Sequence, residues 1–300
     1  MNAKGLRVVV TGGSGRVGRY VLAELADAHD VLNADLTPLA GGPDVGYRRV
    51  DILDPATLAP AFAGADVVVH LAGIDYDLVD DAGTCVRVNT VGCWNVLQAA
   101  REQCVARVVV CSSIAATGLH ELHADRPPTR LPIDDDEPIR PVDAYGISKA
   151  LVEVIARGFA DASGPDVVCL RPCAVVFPEN LHTFVHPPAD GPRTLHDYVT
   201  AEDLARAFRA AVETPAPGFG PYLVAADDCA HPDPTLDWYA RDVGELPADV
   251  DAERFARDPH AGAVRTDGAR AALGWAPRGR FADLIARNAY TVTLDQRRTP

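Results

Sequence analysis

Residues Thr11–Gly18 read TGGSGRVG, and they connect the apolar run Leu6–Val10 to a stretch with helical periodicity. A glycine-rich turn between a strand and a helix is the context in which proteins bind the pyrophosphate of a dinucleotide. Gly12 permits a tight turn, and Gly15 lets backbone N–H groups approach the phosphates at the helix N-terminus. Gly18 allows the helix to pack closely on the strand. The stretch therefore predicts a dinucleotide-binding turn.

Apolar runs alternate with helical stretches along most of the chain, which indicates βαβ units. The predicted strands are Leu6–Val10, Val31–Ala34, Val67–Leu71, Val108–Cys111, Val167–Leu170 and Tyr222–Ala225. The predicted helices are Val17–Ala28, Thr57–Ala63, Val86–Arg101, Ala144–Ala160 and Glu202–Glu213. The predicted fold class is α/β, with a doubly wound parallel sheet of the Rossmann type and a small C-terminal substrate lobe.

Proline density rises after residue 171 and again after residue 227, which predicts a lobe built from interrupted segments. We predict an NAD-binding core at residues 1–171, completed by 195–227, and a small substrate lobe at 172–194 and 228–300. The acidic run Asp134–Glu137 lies among prolines, and we expect it to be a solvated loop.

The chain has 300 residues, with 28 Lys+Arg against 42 Asp+Glu and a net charge of −14. This balance argues against a nucleic-acid or anionic-membrane partner. The absence of a long apolar run and of a secretory signal predicts a cytoplasmic protein. The seven cysteines are odd in number and include no CxxC, so we interpret them as mostly core residues. No sequence spacing is typical of a metal site, and no metal is expected.

Acidic residues at the ends of the next two strands are candidates for the adenosine half of the dinucleotide. Asp35 follows Gly18 by 17 residues, where a carboxylate can accept hydrogen bonds from ribose hydroxyls. This carboxylate favours NAD over NADP. Arg16 could bind either the pyrophosphate, which both cofactors have, or the 2′-phosphate of NADP. Asp51 and Ile52 are candidates for holding the adenine, and an N-cap aspartate with a core isoleucine is the alternative.

Tyr145 and Lys149 are four residues apart and share one face of a predicted helix. An ammonium near a phenol lowers its pKa, which suits Tyr145 to general acid or base chemistry. Lys149, one of two lysines in the chain, is also a candidate donor to the nicotinamide ribose. Ser113 ends a strand at the edge where such sheets bind ligands, and we predict that it orients the reacting oxygen while Ser112 is structural. The alternatives are a surface Tyr/Lys pair and a capping serine.

Several further motifs occur in a shared order and spacing. They are TGGSGRVG at Thr11–Gly18, His70–Gly73, Asn89 before Gly92, Ser112-Ser113 before Gly118, YGISK at Tyr145–Lys149, Asp197–Val199 with Asp203-Leu204, and Leu273–Trp275 with Pro277. Together they resemble the extended short-chain dehydrogenase/reductase superfamily, in its NAD-dependent epimerase/dehydratase group, over nearly the whole chain. The resemblance implies that the nicotinamide is held by Leu71, Ala72, Gly73, Asn89, Tyr145, Lys149 and Cys173, with Gly12, Gly15, Arg16, Val17 and Gly18 at the phosphates. It also implies a homodimer joined through the helices at Val86–Arg101 and Ala144–Ala160.

The subclass is narrowed by residues that are missing. Dehydratases and decarboxylases of the superfamily carry a carboxylate just after the catalytic hydroxyl residue, but this chain has Ile114–Ala116 there. The reactions that remain open to this chain are hydride transfer alone and epimerisation. Positions that grip a nucleotide diphosphate are also changed, to Ala174, Val176–Pro178 and His196, so a smaller substrate fits better.

Within the superfamily, this compact chain resembles the uronate dehydrogenases and also the small ketoreductases of natural-product pathways. Arg171, His182 and His186 are candidate substrate contacts, and Arg193 with His196 is the preferred pair. His120 and His123 lie beside the Ser113 loop, where they could line the mouth of the site, but we expect a surface position. The leading hypothesis is NAD-dependent hydride transfer to or from a secondary alcohol or ketone of a small, sugar-like or natural-product substrate. The alternatives are a nucleotide-sugar 4-epimerase with tightly bound NAD and a non-catalytic NAD(H)-binding regulator.

Overall fold

The computed structural model describes residues 5–162, 164–185 and 194–287 and is built around a parallel sheet. The strands are β1 (Arg7–Thr11), β2 (Asp30–Asp35), β3 (Gly46–Arg49), β4 (Val67–His70), β5 (Arg107–Cys111), β6 (Arg130–Leu131), β7 (Asp166–Pro172), β8 (Ala174–Val176), β9 (Tyr198–Thr200), β10 (Tyr222–Val224) and β11 (Asp249–Val250). The helices are α1 (Arg16–Ala26), α2 (Pro55–Phe62), α3 (Ala82–Glu102), α4 (Ala144–Asp161), α5 (Leu181–Val185), α6 (Ala201–Glu213), α7 (Thr235–Asp242), α8 (Ala252–Arg257) and α9 (Asp267–Leu273). Residues 281–287 are also helical.

The central sheet has seven parallel strands in the order β10-β7-β5-β4-β1-β2-β3. Alternate valines of β1 enter different cores: Val8 and Val10 pack with α1 and α6, and Val9 packs with α2 and α3 on the opposite face. Because both faces are covered, the inner strands read as continuous apolar runs rather than alternating ones. The predicted doubly wound α/β fold is confirmed.

Capping aspartates set the starts of the two longest helices. Asp81 accepts a hydrogen bond from the Thr84 N–H at 2.7 Å, so α3 begins four residues before the predicted Val86. Asp143 accepts from the Gly146 N–H at 2.9 Å and places Tyr145 in the first turn of α4. Within the central sheet, the apolar pattern predicts every strand except β3. The four residues of β3 are all exposed at the sheet edge.

A second apolar cluster lies beyond the carboxyl edge of the sheet. Leu119, Leu131 and Ile133 pack there against Trp238 and Phe255. The short strand β6 pairs with β11, so residues between β5 and α4 are joined to the C-terminal segments. The small lobe therefore draws residues from the middle of the chain as well as from its end.

The expectation that Asp134–Glu137 is a solvated loop is wrong. Asp134 pairs with Arg130 at 2.7 Å and Arg265 at 2.8 Å, and Asp135 accepts a hydrogen bond from the Leu223 N–H. The Glu137 side chain is 0% exposed and accepts from the N–H and hydroxyl of Thr129. The run folds inward because arginines and backbone donors satisfy its carboxylates, which makes it a polar junction between the core and the small lobe.

The burial of the cysteines agrees with the prediction that most of them are core residues. Among the described residues five cysteines are buried, Cys111 is half-buried and Cys104 is exposed. None of the helices in the described part of the chain is both long and apolar enough to cross a membrane.

A buried ion pair ties α4 to the sheet directly below the cavity. Arg171 of β7 donates to both carboxylate oxygens of Glu153, at 2.8 and 2.7 Å. The Ser112 hydroxyl, at the end of β5, donates to the same carboxylate at 2.6 Å. All three side chains are buried, so the group fixes the position of α4 against β5 and β7.

We expect Glu153→Ala to lower the free energy of unfolding by about 3–5 kcal/mol, because it leaves the Arg171 guanidinium buried without its partner. Urea denaturation followed by circular dichroism measures the change. The double variant Glu153→Leu/Arg171→Met is expected to lose less. Asp161→Ala is the matched control on the same helix, because it breaks an exposed pair with Arg157 and is expected to cost below about 1 kcal/mol. An equal loss in the control would contradict this account.

Candidate active site

A cavity of about 740 Å³ opens at the carboxyl ends of β1, β4, β5 and β7. It brings together residues that lie far apart in the sequence. The predicted site residues that line it are Gly12, Gly15, Arg16, Val17, Gly18, Leu71, Gly73, Ser113, Tyr145, Lys149, Cys173 and His196. This is the edge at which doubly wound sheets bind dinucleotides.

The glycine-rich turn has the shape that a pyrophosphate requires. Gly12 has a φ of +73°, and a Cβ there would lie 2.5 Å from the Ala72 backbone nitrogen. A Cβ on Gly18 would overlap the Gly12 carbonyl oxygen. A Cβ on Gly15, by contrast, would have that same oxygen as its one neighbour within 4 Å, at 3.2 Å, and no side chain caps α1. The N–H groups of the first turn of α1 have no acceptor within the helix, so they fit the phosphates of NAD.

Asp35 lies at the end of β2, next to the turn. One of its carboxylate oxygens accepts from the Ser14 N–H at 2.9 Å, and the other is 3.4 Å from the Thr37 nitrogen. The carboxylate is thus positioned beside the pyrophosphate turn, where an adenosine ribose fits.

Asp51 and Ile52 do not line the cavity. The Asp51 carboxylate accepts from the Leu53 N–H at 2.9 Å, and Ile52 is buried against Gly92 of α3. The N-cap of α2 is Asp54 rather than Asp51. The structure therefore matches the core interpretation of Ile52 more closely than an adenine contact.

Asn89 is buried, and its amide supports the loop after β4. Its Oδ1 accepts from the Ile74 N–H at 2.7 Å, and its Nδ2 donates to the Ile74 carbonyl and to the Ser148 hydroxyl. With these three hydrogen bonds Asn89 joins the Leu71–Gly73 loop to α4 instead of presenting its amide to the cavity.

Ser113, Tyr145 and Lys149 converge on one side of the cavity. The Lys149 ammonium is 5.5 Å from the centre of the Tyr145 ring and donates to the Cys111 carbonyl at 3.0 Å. The Ser113 hydroxyl accepts from the Ala115 N–H at 3.1 Å and hydrogen-bonds to Tyr145. Its neighbour Ser112 points away, towards Glu153. A substrate hydroxyl in this corner can contact both the phenol and the serine.

The pKa of Tyr145 shifts in the opposite direction to the sequence-based expectation. Burial raises the pKa of the phenol well above its ordinary value, the Asp75 carboxylate acts in the same direction, and the Ser113 hydrogen bond opposes them. Lys149 does not reverse the shift, since its ammonium lies over the ring face and is held by the Cys111 carbonyl. The cofactor-free protein therefore holds Tyr145 protonated at neutral pH.

Four residues that line the cavity did not emerge from the motifs as site residues. Asp75 and Tyr76 follow β4, and His120 and Glu121 follow the Ser113 loop. We refer to these four residues as the acidic wall. His120 was expected at the surface, but its side chain is mostly buried and lines the cavity. The usable signal was position, because all four follow the carboxyl ends of adjacent strands.

The structure places the candidate substrate-binding residues in different environments. Arg171 is paired with Glu153 and does not line the cavity, and His182 is exposed on α5. His186 and Arg193 lie outside the described residues. His196 lines the cavity with its ring packed on Trp238, and burial lowers its pKa to about 4, so it is neutral at pH 7.

The fold also gathers a three-residue cluster that sequence spacing did not reveal. Ligand atoms of His196, His231 and Asp242 lie within 4.8 Å of one another. Arg241, however, already donates to both Asp242 oxygens, at 2.7 and 2.8 Å, and His231 Nδ1 accepts from the Asp233 N–H. A cation here would have to displace a guanidinium, so the cluster is better described as an ion-paired edge of the cavity.

Comparison with known proteins agrees with this geometry. A model of the NAD-dependent epimerase/dehydratase family matches residues 8–187. The L-arabinose 1-dehydrogenase (NAD(P)(+)) of Haloferax volcanii is 34% identical over 173 residues, which cover 55% of this chain and 65% of that protein. The uronate dehydrogenase of Pseudomonas putida is 26% identical over 250 residues, which cover 81% of this chain and 84% of that protein.

Solved structures share the whole fold. A short-chain dehydrogenase/reductase superfamily protein from Agrobacterium tumefaciens, crystallised with bound NAD, has a TM-score of 0.71 at 22% identity, covering 97% of this chain and 100% of that chain. The fold and site define an NAD-dependent enzyme with an extended short-chain dehydrogenase/reductase architecture. Because the family model spans more than half of the chain, the protein belongs to the NAD-dependent epimerase/dehydratase family.

Two glycine substitutions are expected to separate cofactor binding from folding. Gly15→Ala places a methyl group 3.2 Å from the Gly12 carbonyl oxygen at a residue with an ordinary φ of −73°, so most of the thermal stability without NAD should be retained. Losing one charged hydrogen bond costs about 1.5–3 kcal/mol, so its Kd for NAD should rise roughly ten-fold or more. Gly18→Ala, the matched variant, should instead lower the melting temperature. Calorimetric titration and thermal melts measure both, and unchanged NAD affinity in Gly15→Ala would contradict the assignment of the turn.

Proposed function

We propose that this protein is an NAD-dependent dehydrogenase that oxidises a hydroxyl-bearing carbon of a free, sugar-sized substrate. The observation that supports the proposal best is the convergence of Ser113, Tyr145 and Lys149 on one cavity with the glycine-rich turn. The proposed NAD-binding core is 1–171 with 195–227, and the small lobe supplies the substrate side.

Tyr145 is proposed as the general base and Ser113 as the group that orients the oxygen. NAD, when bound, supplies the hydride acceptor. The substrate hydroxyl donates its proton to the Tyr145 oxygen, while the Ser113 hydroxyl donates a hydrogen bond to the substrate oxygen. Because burial raises the pKa of Tyr145, proton uptake is favoured once the phenolate has formed, and the nearby Lys149 ammonium stabilises that phenolate.

A free sugar is preferred over a nucleotide sugar because the cavity lacks the usual phosphate grip. Ala174 lines it where the superfamily usually has an asparagine, Phe177 lines it where the superfamily usually has a glycine, and His196 stands in place of an arginine. Two relatives named above are dehydrogenases of L-arabinose and of a uronate, and both names describe free sugars. These observations support a substrate without a nucleotide.

A homodimer through α3 and α4 is part of the proposal. The two helices pack side by side and expose apolar side chains on one outer face. These side chains are Val91 and Trp94 of α3 and Ile147, Leu151 and Val154 of α4, the last being 64% exposed. Large apolar patches on a helix pair are typical of an interface, and a second copy would bury this one.

Tyr145→Phe is expected to lower the rate of NADH formation by roughly 10²–10⁴-fold, because the proton acceptor is lost while the ring remains. NADH absorbance measures the rate, and calorimetry should show NAD affinity within a few-fold of the unchanged protein. Retained turnover would refute the role of Tyr145. Sugar inversion without net NADH, followed by NMR, would favour the epimerase alternative.

The rate of oxidation in the unchanged protein is expected to rise with pH. The deprotonated phenol is the active form, and burial raises its pKa, so the active fraction grows as pH increases. A pH profile of kcat/KM that falls between pH 7 and 9 would contradict this sign.

Leu151→Glu/Val154→Glu is expected to convert a dimer to a monomer, because two carboxylates would be buried at the interface. Light scattering coupled to size-exclusion chromatography gives the mass. Ile285→Glu, which introduces the same charge at an exposed apolar residue outside α3 and α4, is the control and should leave the dimer intact. A monomeric starting protein would overturn the proposal.

A further inference from the structure

The acidic wall holds a carboxylate close to the proposed catalytic phenol. The Tyr76 ring packs edge-on against the Tyr145 ring, with 6.0 Å between centres, and against the His120 ring at 5.2 Å. The Tyr76 hydroxyl donates to Glu121. The Glu121 carboxylate is therefore fixed at the far end of a ring that touches Tyr145.

Backbone contacts make this wall a built part of the fold. Glu121 forms an antiparallel bridge with Thr194, which lies two residues before His196. Asp75 accepts from the Tyr76 N–H at 2.9 Å, and His120 lies 3.1 Å from the Asp143 carboxylate that caps α4. The wall thus has fixed supports in both the core and the small lobe.

One positive charge of the cavity contacts the acidic wall, at Asp75, and the others lie elsewhere. Within the described residues, the basic side chains that line the cavity are Arg16, Arg19 and Lys149. Two belong to α1 at the cofactor end, and Arg16 lies 2.7 Å from the Asp75 carboxylate. Lys149 donates to the Cys111 carbonyl beneath Tyr145.

The histidines that line the cavity add no positive charge at pH 7. Burial lowers the pKa of His120 and lowers that of His196 to about 4, so both rings are neutral at pH 7. Arg171, a sequence candidate for a substrate carboxylate, is held by Glu153. A substrate carboxylate beside Glu121 would therefore meet a second negative charge, whereas the charge of Asp75 is paired with Arg16.

We propose that the acidic wall selects uncharged polyhydroxyl substrates, such as neutral aldoses, over sugar acids, with Glu121 as the specificity-determining residue; this inference rests on the proposed function. A carboxylate accepts hydrogen bonds from neighbouring sugar hydroxyls and repels a second carboxylate. Specificity of this kind comes from repulsion of the competitor as much as from attraction of the substrate.

The reaction expected for a neutral aldose balances without a further reactant. The C1–H bond breaks and its hydride reduces NAD⁺ to NADH, while the C1 hydroxyl gives its proton to Tyr145. The C1–O bond becomes a carbonyl, so the product is a lactone. Glu121 takes no part in these bonds and acts on binding alone.

The test compares sugars that differ at one carbon. D-galactose and D-galacturonate, and D-glucose and D-glucuronate, differ in a hydroxymethyl group against a carboxylate. Initial rates of NADH formation should give a kcat/KM at least roughly ten-fold higher for the neutral member, as expected for one close like-charge pair. Glu121→Gln keeps an acceptor for Tyr76 and removes the charge, so it should reduce that ratio roughly ten-fold.

Two controls separate charge from structure. Glu253→Gln removes an exposed carboxylate of α8 and should leave the ratio unchanged. Tyr76→Phe removes the hydrogen bond but keeps the Glu121 charge, so the preference for neutral sugars should persist. This variant also tests the inference if Glu121→Gln does not fold.

The outcomes distinguish this inference from the proposed function. Preferred oxidation of the sugar acids, with a ratio insensitive to Glu121→Gln, would overturn the inference and leave the dehydrogenase proposal standing. Loss of that acid activity in Arg193→Ala would then assign the carboxylate contact to Arg193. If neither member of either pair yields NADH, the proposed function fails and the inference falls with it.

Discussion

The buried pair between Glu153 and Arg171 is the constraint on which the candidate site depends. It holds α4, which carries Tyr145 and Lys149, against β7, and through Ser112 it holds the same helix against the end of β5. Ser113 is the next residue along the chain. A buried ion pair contributes little net stability, but it fixes one geometry because any shift leaves a charge unpaired. The distance between the phenol and the serine is therefore set in part by Glu153 and Arg171, which do not line the cavity.

The fold and the cofactor half of the cavity could be predicted because they follow local rules. The glycine turn, the valine-rich strands and the Tyr145/Lys149 spacing each depend on backbone geometry or on a helical period that a single stretch of sequence expresses. The roles of Asn89 and Ile52 were harder to predict from the sequence. The Asn89 amide is bonded to Ile74 and Ser148 and the Ile52 side chain packs on α3, and the sequence does not identify these neighbours.

The substrate half could not be predicted to the same extent, because it is assembled from irregular segments. The acidic wall brings together residues after β4 and after β5, and no periodicity links Tyr76 to Glu121. The run Asp134–Glu137 shows the same limit: its composition is typical of a solvated loop, but arginines from distant segments draw it inward. The raised pKa of Tyr145 likewise results from burial, which depends on packing rather than on the nearby lysine.

Lys149 is the one lysine within the described residues, and the chain holds a single other, Lys4. Arginine supplies nearly all remaining positive charge and does not react as a primary amine. The nucleophilic amines of this protein are therefore few, and one of them lies on the floor of the cavity beside the Tyr145 ring. Acylating or aldehyde reagents, which do not react with guanidinium groups, would thus modify few sites, and a ligand that occupied the cavity beside the Tyr145 ring would protect Lys149 from them.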